Sequence, residues 1–77
     1  MNIEPGKIYI VSSDKDYVNI WAFVEVKSFF NFSNGSVDVY VTFLSGPLKG
    51  QVCYVGRHLY TWTPSSYEEL VAYVLES

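Results

Sequence analysis

Regular alternation of apolar residues over two neighbouring segments is the feature that most limits how this chain can fold. From Val18 to Phe32 every even position is apolar except Ser28, and from Val37 to Phe43 every odd position is apolar. In a β-strand a period of two puts all such side chains on one face. The pattern therefore predicts two antiparallel strands, over residues 18–32 and 37–44, that share one buried face.

The connection between these strands contains Asn34-Gly35, the residue pair typical of a two-residue type I′ hairpin turn. Such a turn sets Phe32 opposite Val37, and the same register then continues along both strands. In this register the two apolar faces coincide, whereas a slip of one residue would separate them. A strand this long also predicts a bend or bulge, which we expect near Ser28.

Three shorter strands are predicted from apolar runs that end at polar or glycine-containing segments. We expect them over residues 7–12, 51–55 and 59–63. The polar cluster 12–16 is predicted to be a loop that ends the first strand.

The C-terminal segment has the clearest helical pattern in the chain. Ser65 and Ser66 follow Pro64, and each serine has a glutamate three residues later, as in a capping box. Apolar side chains recur at helical spacing, which predicts a stripe that packs across one open end of a barrel. The predicted helix covers about 66–76, with the stripe on Tyr67, Leu70, Val71 and Val74, and with Tyr73 and Glu76 facing outward.

Residues 39–55, VYVTFLSGPLKGQVCYV, enter and leave a Gly-Pro-aliphatic-Lys-Gly turn between two apolar runs. This segment resembles the KOW and SH3-like small β-barrels, and several strands followed by one helix are similar to chromo-like members of that class. The resemblance implies a mostly β fold, with a sheet surface that binds peptides or DNA. We predict one domain, residues 1–77, folded as a five-stranded SH3-like partly open barrel with one C-terminal amphipathic helix.

Catalytic and metal-binding patterns are not found in the sequence. Cys53 and His58 are the single cysteine and histidine, too few for a zinc site, and no third residue marks them as a nucleophile and its base. Gly46 and Gly50 are not followed by the Lys and Ser or Thr of a phosphate-binding loop. We therefore predict no catalytic residue, no metal and no cofactor, and a protein that is not an enzyme.

Charge and composition limit the partners. The chain has 77 residues and a net charge of −3, which disfavours a protein that binds nucleic acid by neutralising many phosphates. No apolar run approaches the roughly 20 residues of a transmembrane helix, and the N-terminus lacks a signal-peptide pattern. With one unpaired cysteine, these features predict a cytoplasmic protein without membrane contact.

Aromatic residues make up 18% of the chain and are the feature with most functional content. Alternation assigns several of them to the outer face, where Trp and Tyr commonly anchor protein interfaces. We predict a small protein–protein interaction module or accessory regulator. Its size and composition are compatible with a phage- or mobile-element-encoded modulator of a host protein. The predicted binding residues are Trp21, Phe29 and Tyr40 as apolar anchors, with Lys27 and Asp38 as polar neighbours.

Two alternatives stay open at this point. The same aromatics could stack the bases of a single-stranded nucleic acid while Lys27, Lys49 and Arg57 contact phosphates. Some of these aromatics could instead be buried under the helix. A homodimer is also open, since a thin core and exposed edge strands favour association.

Overall fold

The computed structural model describes residues 3–15 and 18–76. The strands are β1 (Ile8–Lys15), β2 (Val18–Asn31), β3 (Val37–Phe43), β4 (Val52–Gly56) and β5 (Thr61–Ser65). A 3₁₀ turn (Arg57–Leu59) joins β4 to β5, and the helix α1 (Tyr67–Glu76) ends the described chain.

The strands form one antiparallel sheet in the order β4-β3-β2-β1-β5. The sheet is not closed, because β4 and β5 lie at its two ends. The prediction of a mostly β chain with five strands and one C-terminal helix is therefore confirmed. Pro64, which was expected just before the helix, lies within β5, where an edge strand tolerates the missing N–H.

One face of the sheet carries the hydrophobic core. Alternate residues of all five strands contribute to it, as the period of two predicts. Trp62 donates its indole N–H to the carbonyl oxygen of Arg57 at 2.9 Å, so this buried ring keeps a partner for its polar atom. The core residues are Ile3, Tyr9, Val11, Ala22, Val24, Val26, Val39, Val41, Phe43, Val55 and Trp62.

The first strand is longer than predicted. It does not end at Ser12 but continues to Lys15, which pairs with Val18 of β2. Polar side chains do not stop an antiparallel ladder, because the backbone groups of β2 continue to supply its hydrogen bonds. Of the polar cluster predicted as a loop, Asp16 lies outside the described residues.

The β2–β3 turn contains three residues rather than the predicted two. Phe32 donates its N–H to the Ser36 carbonyl oxygen at 2.9 Å, and Gly35 donates its N–H to the Phe32 carbonyl oxygen at 3.1 Å. A type I′ turn needs positive φ at both central residues, whereas in the described chain only glycines, Gly35 among them at φ 88°, have positive φ. The loop is a type I turn closed by this glycine, and Asn31 opposes Val37.

The bulge predicted near Ser28 is confirmed, since the β2–β3 register shifts between Val26 and Ser28. The extra residue exchanges the two faces of β2 beyond it. Val26 lies in the core, and three residues later Phe29 also packs against the core. The predicted placement of Phe29 on the outer face is therefore wrong.

The start of α1 agrees with the capping pattern. Glu69 donates its backbone N–H to the Ser66 hydroxyl at 3.2 Å, which makes Ser66 the N-cap. The Glu69 carboxylate accepts a hydrogen bond from the Ser65 hydroxyl at 3.0 Å. Both serines of the predicted capping region thus contact the first turn of the helix.

The orientation of α1 differs from the prediction. Tyr73, expected to face outward, lies 5.3 Å from Trp21 and 5.4 Å from Phe23 between ring centroids. Leu70 is the one buried residue of the described helix, and Tyr67 is 68% exposed. The helix therefore covers the outer face of the first half of β2, opposite to the core.

Candidate functional site

Beyond the bulge, the outer face of the sheet carries an aromatic cluster. We call Phe30, Phe32, Tyr40 and Tyr54 the outer aromatic cluster. Ring centroids are 4.8 Å apart for Phe30 and Phe32, 6.5 Å for Phe30 and Tyr54, and 4.6 Å for Tyr40 and Tyr54. The strand register produces these contacts, because Tyr40 opposes Tyr54 across the β3–β4 ladder.

Much of this cluster is accessible to solvent. Phe30 is 50% exposed and Tyr54 is 55% exposed, although both are large apolar rings. A contiguous, exposed group of aromatic side chains is the kind of surface that binding partners use as anchors.

A cleft of about 300 Å³ opens within the cluster, lined by Phe30, Phe32, Asp38 and Tyr54. Asp38 lies on β3 between Phe30 of β2 and Gly56 of β4. In the described part of the chain its carboxylate forms no ion pair and no side-chain hydrogen bond. The cleft thus combines three rings with one carboxylate that has no partner among the described side chains.

The three predicted aromatic anchors lie in three different environments. Trp21 is 46% exposed but sits beside the helix, in edge-to-face contact with Phe23. Phe29 packs against the core, and Tyr40 belongs to the outer aromatic cluster. The structure therefore does not bring these anchors together into one surface.

The polar residues predicted beside the anchors also separate. Asp38 lines the cleft, whereas Lys27 occupies the bulge and forms an ion pair with Glu25 at 3.0 Å. Lys27 therefore has an internal partner, and Asp38 is the predicted polar residue that remains available at the cluster.

Sequence reasoning missed Phe30, Phe32 and Tyr54. The signal that could have identified the two phenylalanines is Ser28, the one polar residue in the even series of β2. A polar residue at that point marks where the buried face changes from even to odd positions. Applied consistently, the predicted bulge would have placed Phe30 on the outer face and Phe29 inside.

The cations of the nucleic-acid alternative do not surround the cleft. Lys49 lies at a different groove, next to Leu44 and the helix, and Arg57 is in the 3₁₀ turn. Lys27 is ion-paired with Glu25. None of these three cations lines the cleft between the aromatic rings. Stacked bases there would meet a carboxylate rather than a positive charge.

A second groove, of about 330 Å³, lies between α1 and the connection from β3 to β4. Lys49 and Leu44 form one wall, and helix residues such as Val71 and Val74 form the other. These helix residues belong to the stripe that was expected to be buried. The groove is a second apolar surface, with an ammonium rather than a carboxylate in its lining.

Cys53 shows the properties of a packed side chain. It lies on the inner side of β4 and packs against the core. Burial raises the pKa of its thiol, and the pKa of Tyr60 is raised by burial and by the neighbouring Cys53 charge. A thiol with a raised pKa stays protonated and is a poor nucleophile, which favours the interpretation of Cys53 as a small hydrophobe.

Residues 3–15 and 18–76 contain no group of three or more His, Cys, Asp or Glu side chains arranged to hold a metal ion. Within the same residues, no helix has both the length and the hydropathy to cross a membrane.

No protein-family model, no curated protein and no solved structure matches this chain significantly.

Proposed function

We propose that this protein is a small non-enzymatic interaction module that binds another protein through the outer aromatic cluster. The observation that carries the proposal is the exposure of packed rings around the cleft between Phe30 and Tyr54. Exposed apolar surface costs solubility, so a contiguous patch of it usually serves recognition. Aromatic side chains in or near a pocket are also enriched among the residues that contribute most of the binding energy at protein interfaces.

The charges at the surface favour a protein as the partner. An acidic chain whose cleft contains Asp38 suits a protein partner better than a phosphate backbone. Single-stranded nucleic acid is the weaker candidate, because no Lys or Arg in the described part of the chain lines the cleft between the rings. We propose that the module acts in the cytoplasm as an accessory regulator, and a phage or mobile-element origin is compatible with its size and composition.

Site-specific photo-crosslinking in the source cell tests the proposal. A benzophenone side chain replaces Phe32, at the rim of the cleft, in one variant and Tyr67, on the exposed side of α1, in a control variant. Both positions are exposed, so neither replacement disturbs the core. We expect a protein adduct from position 32 that is absent from position 67.

The adduct is then measured again in a background that carries Tyr54→Ala. Loss of one ring from the cluster should reduce its yield severalfold, since a central interface aromatic often contributes 2 kcal/mol or about thirtyfold in affinity. An adduct with the mass of two chains would identify a homodimer, and a nuclease-sensitive adduct would favour the nucleic-acid alternative. Equal yields from positions 32 and 67, or no effect of Tyr54→Ala, would contradict the proposal.

A further inference from the structure

The cleft has the chemistry of a site for a cation. Its lining contains the carboxylate of Asp38 and the rings of Phe30, Phe32 and Tyr54, and no Lys or Arg of residues 3–15 and 18–76 lines it. The carboxylate has no ion pair or side-chain hydrogen bond within the described residues. A positive group that enters the cleft would therefore meet an uncompensated negative charge.

The rings add to this attraction. The face of an aromatic ring is negative because of its quadrupole, and a cation within about 6 Å of the ring centre is attracted to it. Phe30 and Tyr54 are inclined to each other by 77°, so the two rings present differently oriented surfaces to the space between them. The net charge of −3 also favours the approach of a cationic group.

Among cationic side chains, arginine fits this lining best. The guanidinium group is planar and stacks on aromatic rings, while its N–H groups can pair with both oxygens of one carboxylate. A lysine ammonium is more strongly hydrated and cannot stack in this way. The volume of about 300 Å³ is at the lower end for ligand pockets, which suits a side chain rather than a large cofactor.

We infer that the cleft binds an arginine side chain of the partner protein, with its guanidinium paired to Asp38 and stacked against the surrounding rings. This inference rests on the proposed function and names the residue type that the aromatic cluster recognises. The groove along α1 does not compete for this role, since Lys49 in its lining would repel a guanidinium.

Titration of the isotope-labelled protein by NMR tests the inference. The probe is the acetylated, amidated peptide Gly-Val-Arg-Val-Gly, and its matched control contains the neutral isostere citrulline in place of arginine. We expect the arginine peptide to shift the backbone amides of Phe30, Asp38 and Tyr54 with a Kd of roughly millimolar. The citrulline peptide should bind about tenfold more weakly, because it lacks the charge.

Two variants identify the carboxylate that acts. Asp38→Asn keeps the shape of the cleft but removes its charge, and should weaken the arginine peptide about tenfold. Glu25→Gln removes one negative charge from the same chain at a position already paired with Lys27, and should change binding less than about twofold.

A lysine version of the peptide should bind more weakly than the arginine version.

The inference is wrong if citrulline binds as well as arginine, if Asp38→Asn has no effect, or if the peptide shifts the α1 groove instead of the cleft. Lysine binding equal to arginine would also overturn it. The proposed function fails separately, because it is measured by the adduct at position 32. A Tyr54-dependent adduct that persists in Asp38→Asn would support protein binding and reject the arginine.

Discussion

The outer face of β2 carries aromatic side chains both before and after the bulge, but the two groups differ in their contacts and in their exposure to solvent. Before the bulge, Trp21 and Phe23 meet Tyr73 of α1, and Phe23 is only 3% exposed. After the bulge, Phe30 is 50% exposed although it faces the same side of the sheet. The difference shows that α1 covers Phe23 in the first half of this face and leaves Phe30 in the second half uncovered.

This contrast separates rings that stabilise the fold from rings that are available for binding. A buried aromatic contributes to the free energy of unfolding by leaving water, whereas a half-exposed ring contributes less. Rings on one strand and one face can thus serve different purposes. Stability measurements on matched variants should distinguish the two halves.

The largest effect is expected from Phe23→Ala compared with Phe30→Ala. Both substitutions remove a phenylalanine from the outer face of β2. Phe23→Ala should lower the free energy of unfolding by about 3 kcal/mol, because it opens a cavity beneath α1, and Phe30→Ala by about 1 kcal/mol or less. Urea unfolding followed by circular dichroism measures both, and equal losses would contradict the division of the face.

The bulge is tested by Phe29→Ala. If the two faces of β2 exchange at Lys27, Phe29 packs against the core, and its truncation should lower the free energy of unfolding by about 2 kcal/mol. The neighbouring Phe30→Ala variant is the control, since it keeps the strand and removes the same group. A loss at Phe29 no larger than at Phe30 would favour the uninterrupted register and reject the bulge.

Removal of the helix cap should have a smaller effect. Ser66→Ala deletes the hydroxyl that accepts the Glu69 N–H, and typically such a change lowers stability by about 1 kcal/mol. Because α1 covers Phe23, amide exchange should increase in the helix and in the first half of β2, with little change at Tyr54. Uniform acceleration over the whole sheet would show that the two halves are not separable.

The smallest effect concerns pH. The pKa of the Cys53 thiol is raised in the folded state, so folding favours the neutral form. Its contribution to stability is present below the ordinary thiol pKa and is lost as pH rises through the raised value. Alkylation by iodoacetamide should therefore reach half its maximal rate at a higher pH in the folded protein than in urea, and an unshifted or lower midpoint would contradict this.

The local pattern of the sequence predicted much of the fold. Period-two alternation located β2 and β3, and the serine and glutamate spacing located the start of α1 within one residue. These signals work because they depend on neighbouring residues along the chain. The candidate site was predicted in part, since Tyr40 and Asp38 lie in it but Phe29 and Trp21 do not.

Only the tertiary structure decided which aromatic side chains on the outer face of the sheet stay exposed to solvent. The sequence by itself determined five strands, one helix and a bulge near Ser28, because strand alternation and helix caps are local. The docking of Tyr73 on Phe23 and the exposure of Phe30 depend on contacts between residues that are far apart in the chain. Side-chain volume and backbone pairing settle those contacts only once the whole sheet has formed.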